Sequence, residues 1–374
     1  MHTCINQPQH WKGEWMRFVP LNSAREGSIL GKSLIDENGN LLLKEGSILT
    51  DRRIEHLLEK GYSSVYINDD YSDDEIEDII KPEIRNKIAQ KIKETFEFFS
   101  KDRQVSHKNS RIMYESMEEL NNFAKNLVDE LFSKSDIMIS MVDIKNMDSY
   151  TYAHSVNVAV ISLVVGIAAG LGRRELEDLT IGAMLHDVGK IFIPKSILNK
   201  PGALTDEEFR QIQEHTIEGY EYLKNCPIKS TSKIIALQHH LNVDGSGYPD
   251  YENTGLLHKF SRIVAIADVY DALTSDRSYR RAYSPSEAVE YIMSMASTKF
   301  DMDYVKLFVK KIVTYPVGSL VRLSDGKAGV VRSLNEGFPM RPVVEIIEES
   351  RLSGEHIDLM ERKNIVIQQI EYDL

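Results

Sequence analysis

The chain has 374 residues, 42% of them hydrophobic and 27% charged, and a formal net charge of −12. That length supports two or three domains with cores of their own, and the acidic balance argues against a nucleic-acid polymer as partner, which selects a basic face. The two cysteines, Cys4 and Cys226, lie far apart in no metal-type spacing, so reduced thiols in a cytoplasmic protein are expected rather than a disulfide framework.

Residues 1–15, MHTCINQPQHWKGEW, lack the charged-then-apolar pattern of a secretory signal. They are expected to be a disordered leader, with Met16 as an alternative start. Residues 16–75 read as a small α+β module of unassigned role. GSILGKSLIDENGNLLLKEGSILT alternates apolar stretches with Gly and Asn-Gly turns, a hairpin signal. DRRIEHLLEKGYSSVYIND then predicts a helix, a stop at Gly61 and a strand.

Residues 76–139 are expected to be an acidic linker and connecting helices. The run NDDYSDDEIED at 68–78 reads as a solvated linker. Apolar residues then recur at helical spacing at 84, 88, 92 and 96, and again through Met113, Met117, Leu120, Phe123, Leu127 and Leu131. Packing on the next domain is the favoured role of these helices; a homodimer through 84–132 is the alternative.

From 140 to 312 the pattern is helical, broken by Gly- and Pro-rich loops. Its longest apolar run, Val156–Gly172, carries Asn157, Ser162 and several glycines and falls short of the roughly 18 residues that span a bilayer. It reads as a buried helix, and no membrane span is expected. Residues 313–374 change character: YPVGSLVRLSDGKAGVV and RPVVEIIEE are β-type runs joined by tight turns, predicting a small β-rich appendage. The expected fold is mainly α, an all-helical catalytic domain between the small α+β module and the β-rich appendage.

Within the helical segment, His and Asp gather inside or at the ends of apolar helices. His154 lies in YTYAHSVNVAV, His186 and Asp187 in MLHDVGK, and His215 in IQEHTIEGYEYL; His239 and His240 follow in QHHLNVDGSGYP, and Asp268 in AIADVYDAL. A lone histidine on an apolar face is most often a hydrogen-bonded core residue. Five imidazoles and two carboxylates buried together would repel when charged and cost several kcal/mol to desolvate. A pair of divalent ions removes that cost by taking neutral imidazole nitrogen and carboxylate oxygen directly. An adjacent His-Asp pair suits two ions, the imidazole holding one while the carboxylate bridges both.

HDVGK with the upstream His154 resembles the HD superfamily of metal-dependent phosphohydrolases. HDVGKIFIPKSILNKPGALTDEEFRQIQEH, HHLNVDGSGYP and RIVAIADVYDALTSDRSYRRAY are similar to its HD-GYP subgroup, across about residues 140–312. The resemblance implies cyclic di-GMP hydrolysis, with a metal-activated hydroxide opening the 3′–5′ phosphodiester to linear pGpG and GMP as a further product. It implies His154, His186, Asp187, His215, His239, His240 and Asp268 as metal ligands, with Asp187 bridging and catalytic. It puts Lys190 at the scissile phosphate or the nucleophile, and Arg277 and Arg280 on the substrate phosphates, where guanidinium forks fit phosphate oxygens. Gly247, Tyr248 and Pro249 are the namesake triplet on the pocket wall. Asp271, three residues after Asp268, supports a ligand or touches substrate.

Two positions depart from the family's pattern. Tyr150 stands where some members carry a glutamate for a third ion, so two ions are expected, iron or manganese by ligand type. Leu241 stands where a glutamate often follows the paired histidines. The competing readings are a catalytically silent cyclic di-GMP receptor, an HD phosphohydrolase acting on another cyclic dinucleotide or nucleotide, and a structural metal module. The last fits poorly, because structural sites are usually closed by four ligands, often cysteine.

Overall fold

The computed structural model describes residues 15–35, 41–60, 62, 64–69, 73–74, 79–101, 110–133, 138–139, 150–200, 202–250, 255–275, 283–349 and 351–371. Residues 1–14 of the leader expected at 1–15 lie outside them, as do Arg277 and Arg280, while Trp15 opens a strand. The chain divides into two compact units, one formed by 1–77, 142–146 and 315–374, the other by 78–141 and 147–314.

The first unit opens with the α+β module. Strands β1 (Trp15–Pro20), β2 (Ile29–Leu30), β3 (Leu34–Ile35) and β4 (Leu41–Leu43) precede helix α1 (Asp51–Glu59), then β5 (Ser64–Asn68) and β6 (Asp73–Asp74). The main sheet runs β2-β5-β1-β6, with Phe18 opposite Tyr66, while β3 and β4 form the expected hairpin. Thr50 caps α1, its hydroxyl accepting from the Arg53 amide at 3.4 Å. Ile54 and Leu57, three apart on one helix face, pack with Val19, Leu30, Leu49, Val65 and Ile67. Part of the acidic run expected as linker forms an edge strand, Asp73–Asp74 pairing with Trp15–Met16.

The same unit holds the β-rich appendage: β7 (Leu320–Leu323), β8 (Ala328–Ser333), β9 (Val343–Glu348), β10 (Arg351–Asp358) and β11 (Ile367–Glu371). They form one antiparallel sheet in the order β10-β9-β8-β7-β11. Alternate residues Val321 and Leu323, Val344 and Ile346 point into a core shared with Val331, Ile357 and Leu359.

The second unit is helical: α2 (Pro82–Lys101), α3 (Ser110–Phe132), α4 (Tyr150–Ala168), α5 (Arg173–Met184), α6 (Lys195–Leu198), α7 (Asp206–Gln213), α8 (His215–Leu223), α9 (Ser230–Gln238), α10 (Lys259–Thr274), α11 (Pro285–Ser294) and α12 (Met302–Lys311). Val156 and every residue from Val158 to Val165 are buried, so α4 is a central helix with no solvent stripe. It packs on α5 and α10. The segment expected to connect the domains belongs to this bundle. Ile88, Ile92 and Phe96 of α2 and Met113, Met117, Leu120, Leu127 and Leu131 of α3 are buried, with α2 on α4 and α3 on α5. The packing role is therefore the one observed. Among the described residues, no helix is long and apolar enough to cross a membrane.

Candidate metal centre

Five segments of the bundle converge. His154 comes from the first turn of α4, and His186 and Asp187 from the turn between α5 and the 3-10 helix Val188–Phe192. His215 opens α8, His239 and His240 follow α9, and Asp268 lies in α10. Gly189 sets the spacing between two of these segments. A Cβ there would meet the His215 carbonyl oxygen at 1.9 Å and the Gly219 nitrogen at 2.6 Å. Only glycine lets the HDVGK backbone lie against α8, which brings Asp187 to 3.4 Å from His215 Nε2.

Asp187 is the hub. Its Oδ1 faces His215 and His239 Nε2, at 3.4 and 3.8 Å. Its Oδ2 faces His186 and His154 Nε2, also at 3.4 and 3.8 Å. Two ligand groups result. Asp187, His215, His239 and His240 each bring one donor atom to within 4.8 Å of the others, and so do His154, His186 and Asp187. Asp268 Oδ1 adds a carboxylate to the second group, 3.1 Å from His154 Nε2 and 3.8 Å from His186 Nε2. Its Oδ2 lies 3.9 Å from His240 Nδ1.

The imidazoles are oriented from behind. His186 Nδ1 donates to the Ala183 carbonyl at 2.7 Å, His215 Nδ1 to Ile212 at 2.6 Å, and His239 Nδ1 to Ile235 at 3.0 Å. His154 Nδ1 donates to Asp271 Oδ2 at 2.7 Å. Each bond turns Nε2 toward the centre, the arrangement of metal-ligating histidines.

The electrostatics suit cations. Burial pushes His215 down to about 4 and His240 to about 3, and holds His239 well below the usual imidazole range. Burial alone would raise the Asp187 carboxyl, but Lys190, His186 and His215 hold it well below the usual carboxylate range. Burial also opposes ionisation of Asp268, and His154 and His240 outweigh it. Burial likewise lowers His154, yet its bonds to Asp268 and Asp271 prevail and push it up to about 9. The site thus combines ionised carboxylates with three imidazoles that burial favours as neutral, His215, His239 and His240, while His154 holds its proton against Asp268 and Asp271.

Four atoms show why such a site favours cations. His186 Nε2 and Asp187 Oδ1 are buried without a hydrogen-bond partner. His215 Nε2 and His239 Nε2 face each other at 3.3 Å. Both rings already donate through Nδ1, so in the neutral state the two Nε2 atoms present lone pairs to each other. A cation between these donors relieves the repulsion, so the residues present fit divalent metal.

The other expected site residues divide. Lys190 Nζ donates to Asp187 Oδ2 at 2.5 Å, and its side chain is 28% exposed, so it is anchored at the centre yet reaches solvent. Tyr248 lies over His240, ring centroids 4.6 Å apart. Gly247 has φ +95°, and a Cβ there would meet the His240 carbonyl oxygen at 2.3 Å, so the loop folds back tightly on the paired histidines. Pro249 is buried behind that loop. Asp271 is fully buried, and its oxygens accept from His154 Nδ1 and, at 2.9 Å, from Asn157 Nδ2, the supporting one of its two expected roles. Leu241 pairs with Gly247 in an isolated bridge, serving the loop where a glutamate was the family's usual residue.

Sequence reasoning passed over three supports. Asn157 was noticed only as a polar break in an apolar run, although it stands three residues, one helical turn, after His154. The Gly189–Gly219 approach left two glycines as its signal. Gln238, directly before the paired histidines, accepts from the His258 amide at 2.9 Å and donates to the Leu256 carbonyl at 3.2 Å, fixing the end of α9.

Comparison with known proteins agrees with this geometry. Residues 129–304 match the HD domain family, and 320–371 match a KOW domain associated with HD domain. A cyclic di-GMP phosphodiesterase of Pseudomonas aeruginosa is 36% identical over 235 residues, 61% of this chain and 56% of that protein. A 3′3′-cGAMP-specific phosphodiesterase of Vibrio cholerae is 36% identical over 162 residues, 43% of this chain and 31% of that protein. This chain thus spans about half or less of the length of these relatives. A HDG"Y"P protein from Bdellovibrio bacteriovorus shares the fold, with TM-score 0.51 over 78% of this chain and 98% of that one, at 19% identity. With the His/Asp centre held where the HDVGK and GYP segments meet, residues 129–304 form an HD domain, and the KOW domain associated with such domains follows at 320–371.

Proposed function

We propose that this chain is a cyclic di-GMP phosphodiesterase that opens the 3′–5′ phosphodiester to linear pGpG, with GMP as a further product. The observation that carries the reading is the pair of ligand groups sharing Asp187, with Lys190 on the same carboxylate. The relatives named as cyclic di-GMP phosphodiesterases support it. Two divalent ions suit the donor set, iron or manganese by its mixture of imidazole and carboxylate. Ions bound there would make water a nucleophile near neutral pH and neutralise charge developing on the phosphoryl oxygens.

The chain's own side chains supply position and charge. Asp187 joins the two ligand groups. Asp271 and the backbone carbonyls hold the imidazoles in register. The Lys190 ammonium can swing from Asp187 toward a phosphate oxygen, because part of it is exposed. Gly247 and Tyr248 wall the pocket beside His240. Arg277 and Arg280 take phosphate oxygens as bidentate donors. These local cations must outweigh the long-range field of an acidic chain acting on a dianion. A homodimer through 84–132 would use the outward face of α3, where Ile112, Tyr114 and Phe132 are exposed.

A second reading, turnover of another cyclic dinucleotide, is favoured by the Vibrio cholerae relative's name. A silent receptor is disfavoured, because the ligands of both groups are present. The test is chromatography of products after incubating iron- or manganese-loaded protein with cyclic di-GMP and 3′3′-cGAMP, beside Asp187→Ala. Cleavage of cyclic di-GMP by the parent and none by the variant is expected. Tight binding without cleavage would favour the receptor, and preference for 3′3′-cGAMP the second reading.

A further inference from the structure

Phe209 lies on α7, six residues before His215, and its side chain is 48% exposed. A single exposed phenyl ring is ordinary on a protein surface. This one is distinguished by what it touches. Its ring meets Tyr248 edge-on, centroids 6.4 Å apart at 79°. Tyr248 in turn lies 4.6 Å from His240 at 32° and 6.3 Å from His215 at 78°. Aromatic surface therefore runs outward from two metal-centre imidazoles, through Tyr248, to a half-exposed ring.

The outer ring is held on a fixed support. Thr205 and Glu208 close a capping box on α7, the Glu208 amide donating to Thr205 Oγ1 at 3.2 Å and the Thr205 amide to Glu208 Oε2 at 2.8 Å. Lys200 Nζ donates to both Glu208 oxygens, at 2.8 and 2.6 Å. The residue beside Phe209 is thus tied to the cap and to the preceding loop. An apolar ring kept in water on a braced helix, next to a phosphate-handling centre, is suited to a flat partner joined to that phosphate.

We propose that Phe209, together with Tyr248, is a stacking platform for a purine base of the cyclic dinucleotide whose phosphodiester sits at the Asp187 centre. The inference rests on the phosphodiesterase reading and deepens it. Stacking uses the π-face that every base has, so this wall contributes affinity for a nucleotide with little choice between guanine and adenine.

The test compares parent, Phe209→Ala and Phe209→Trp for cyclic di-GMP and 3′3′-cGAMP turnover, inhibition by inorganic phosphate, metal content and Tm. In Phe209→Ala, KM is expected to rise roughly tenfold for both dinucleotides with kcat nearly unchanged, the pattern of lost ground-state and transition-state binding alike. Phosphate, which has no base, should inhibit the parent and the alanine variant equally, with metal content and Tm preserved. Phe209→Trp should restore KM. A parent-like KM in Phe209→Ala, beside an active parent, would overturn the platform alone. So would a matching loss of phosphate inhibition or metal, which marks a structural role. A metal-loaded parent that neither binds nor cleaves either dinucleotide would overturn the phosphodiesterase reading, and the platform with it.

Discussion

Asp187 and Asp271 are both buried carboxylates among histidines, yet their roles differ because their partners differ. Asp187 keeps a buried oxygen, Oδ1, without a hydrogen bond and faces four imidazoles. Asp187→Ala should therefore remove the bridge between both ligand groups, and metal content measured by mass spectrometry should fall from about two ions per chain toward none. Asp271 donates nothing to the centre directly; it holds His154 and Asn157. Asp271→Asn should weaken metal affinity by about 10- to 100-fold while the fold persists, read by titration against a competing chelator. Cys226 is a contrast. Burial pushes its thiol up to about 12, so at pH 8 it should stay unlabelled by a thiol reagent in a Cys4→Ser background and label fully once guanidinium unfolds the chain.

At the scale of elements, the decisive contacts are backbone approaches rather than side-chain pairs. The HDVGK turn lies so close to α8 that a Cβ on Gly189 would fall 1.9 Å from the His215 carbonyl oxygen. Gly189→Ala must push the two segments apart. It should cost about 3 kcal/mol in denaturant unfolding and lower metal affinity together with stability. Gly247 belongs to an exposed loop, so Gly247→Ala should reduce turnover and disturb the Tyr248–His240 stacking with a smaller change in Tm. The helical periodicity of 84–131 was legible because an apolar stripe must be buried somewhere. Its destination on α4 and α5 was not, since the same stripe suits any apolar partner.

At the scale of the whole molecule, folding and metal binding are linked. The bundle buries imidazoles and carboxylates whose donor atoms crowd one another, and a cation that binds only the folded state stabilises it by mass action. Manganese at about 100 times its Kd should stabilise the protein by about 2.7 kcal/mol, seen as a higher Tm than in the presence of chelator. The β-rich unit, with its own core around Val321, Val344 and Ile357, should change little in the same experiment when followed by hydrogen exchange.

The sequence by itself determined the helical class of the central segment, the β character of the tail and the seven His and Asp residues of the centre. These are local signals: apolar period, turn residues, and donor types that only a metal makes tolerable when buried. Tertiary structure decided what each residue faces. It set Asp271 behind His154, buried Pro249, and joined α2 and α3 to the bundle. It also brought Gly189 against His215, and Asn157 and Asp271 together across 114 positions of chain. A residue's partners over such separations depend on how whole elements pack, and no spacing within one segment encodes that.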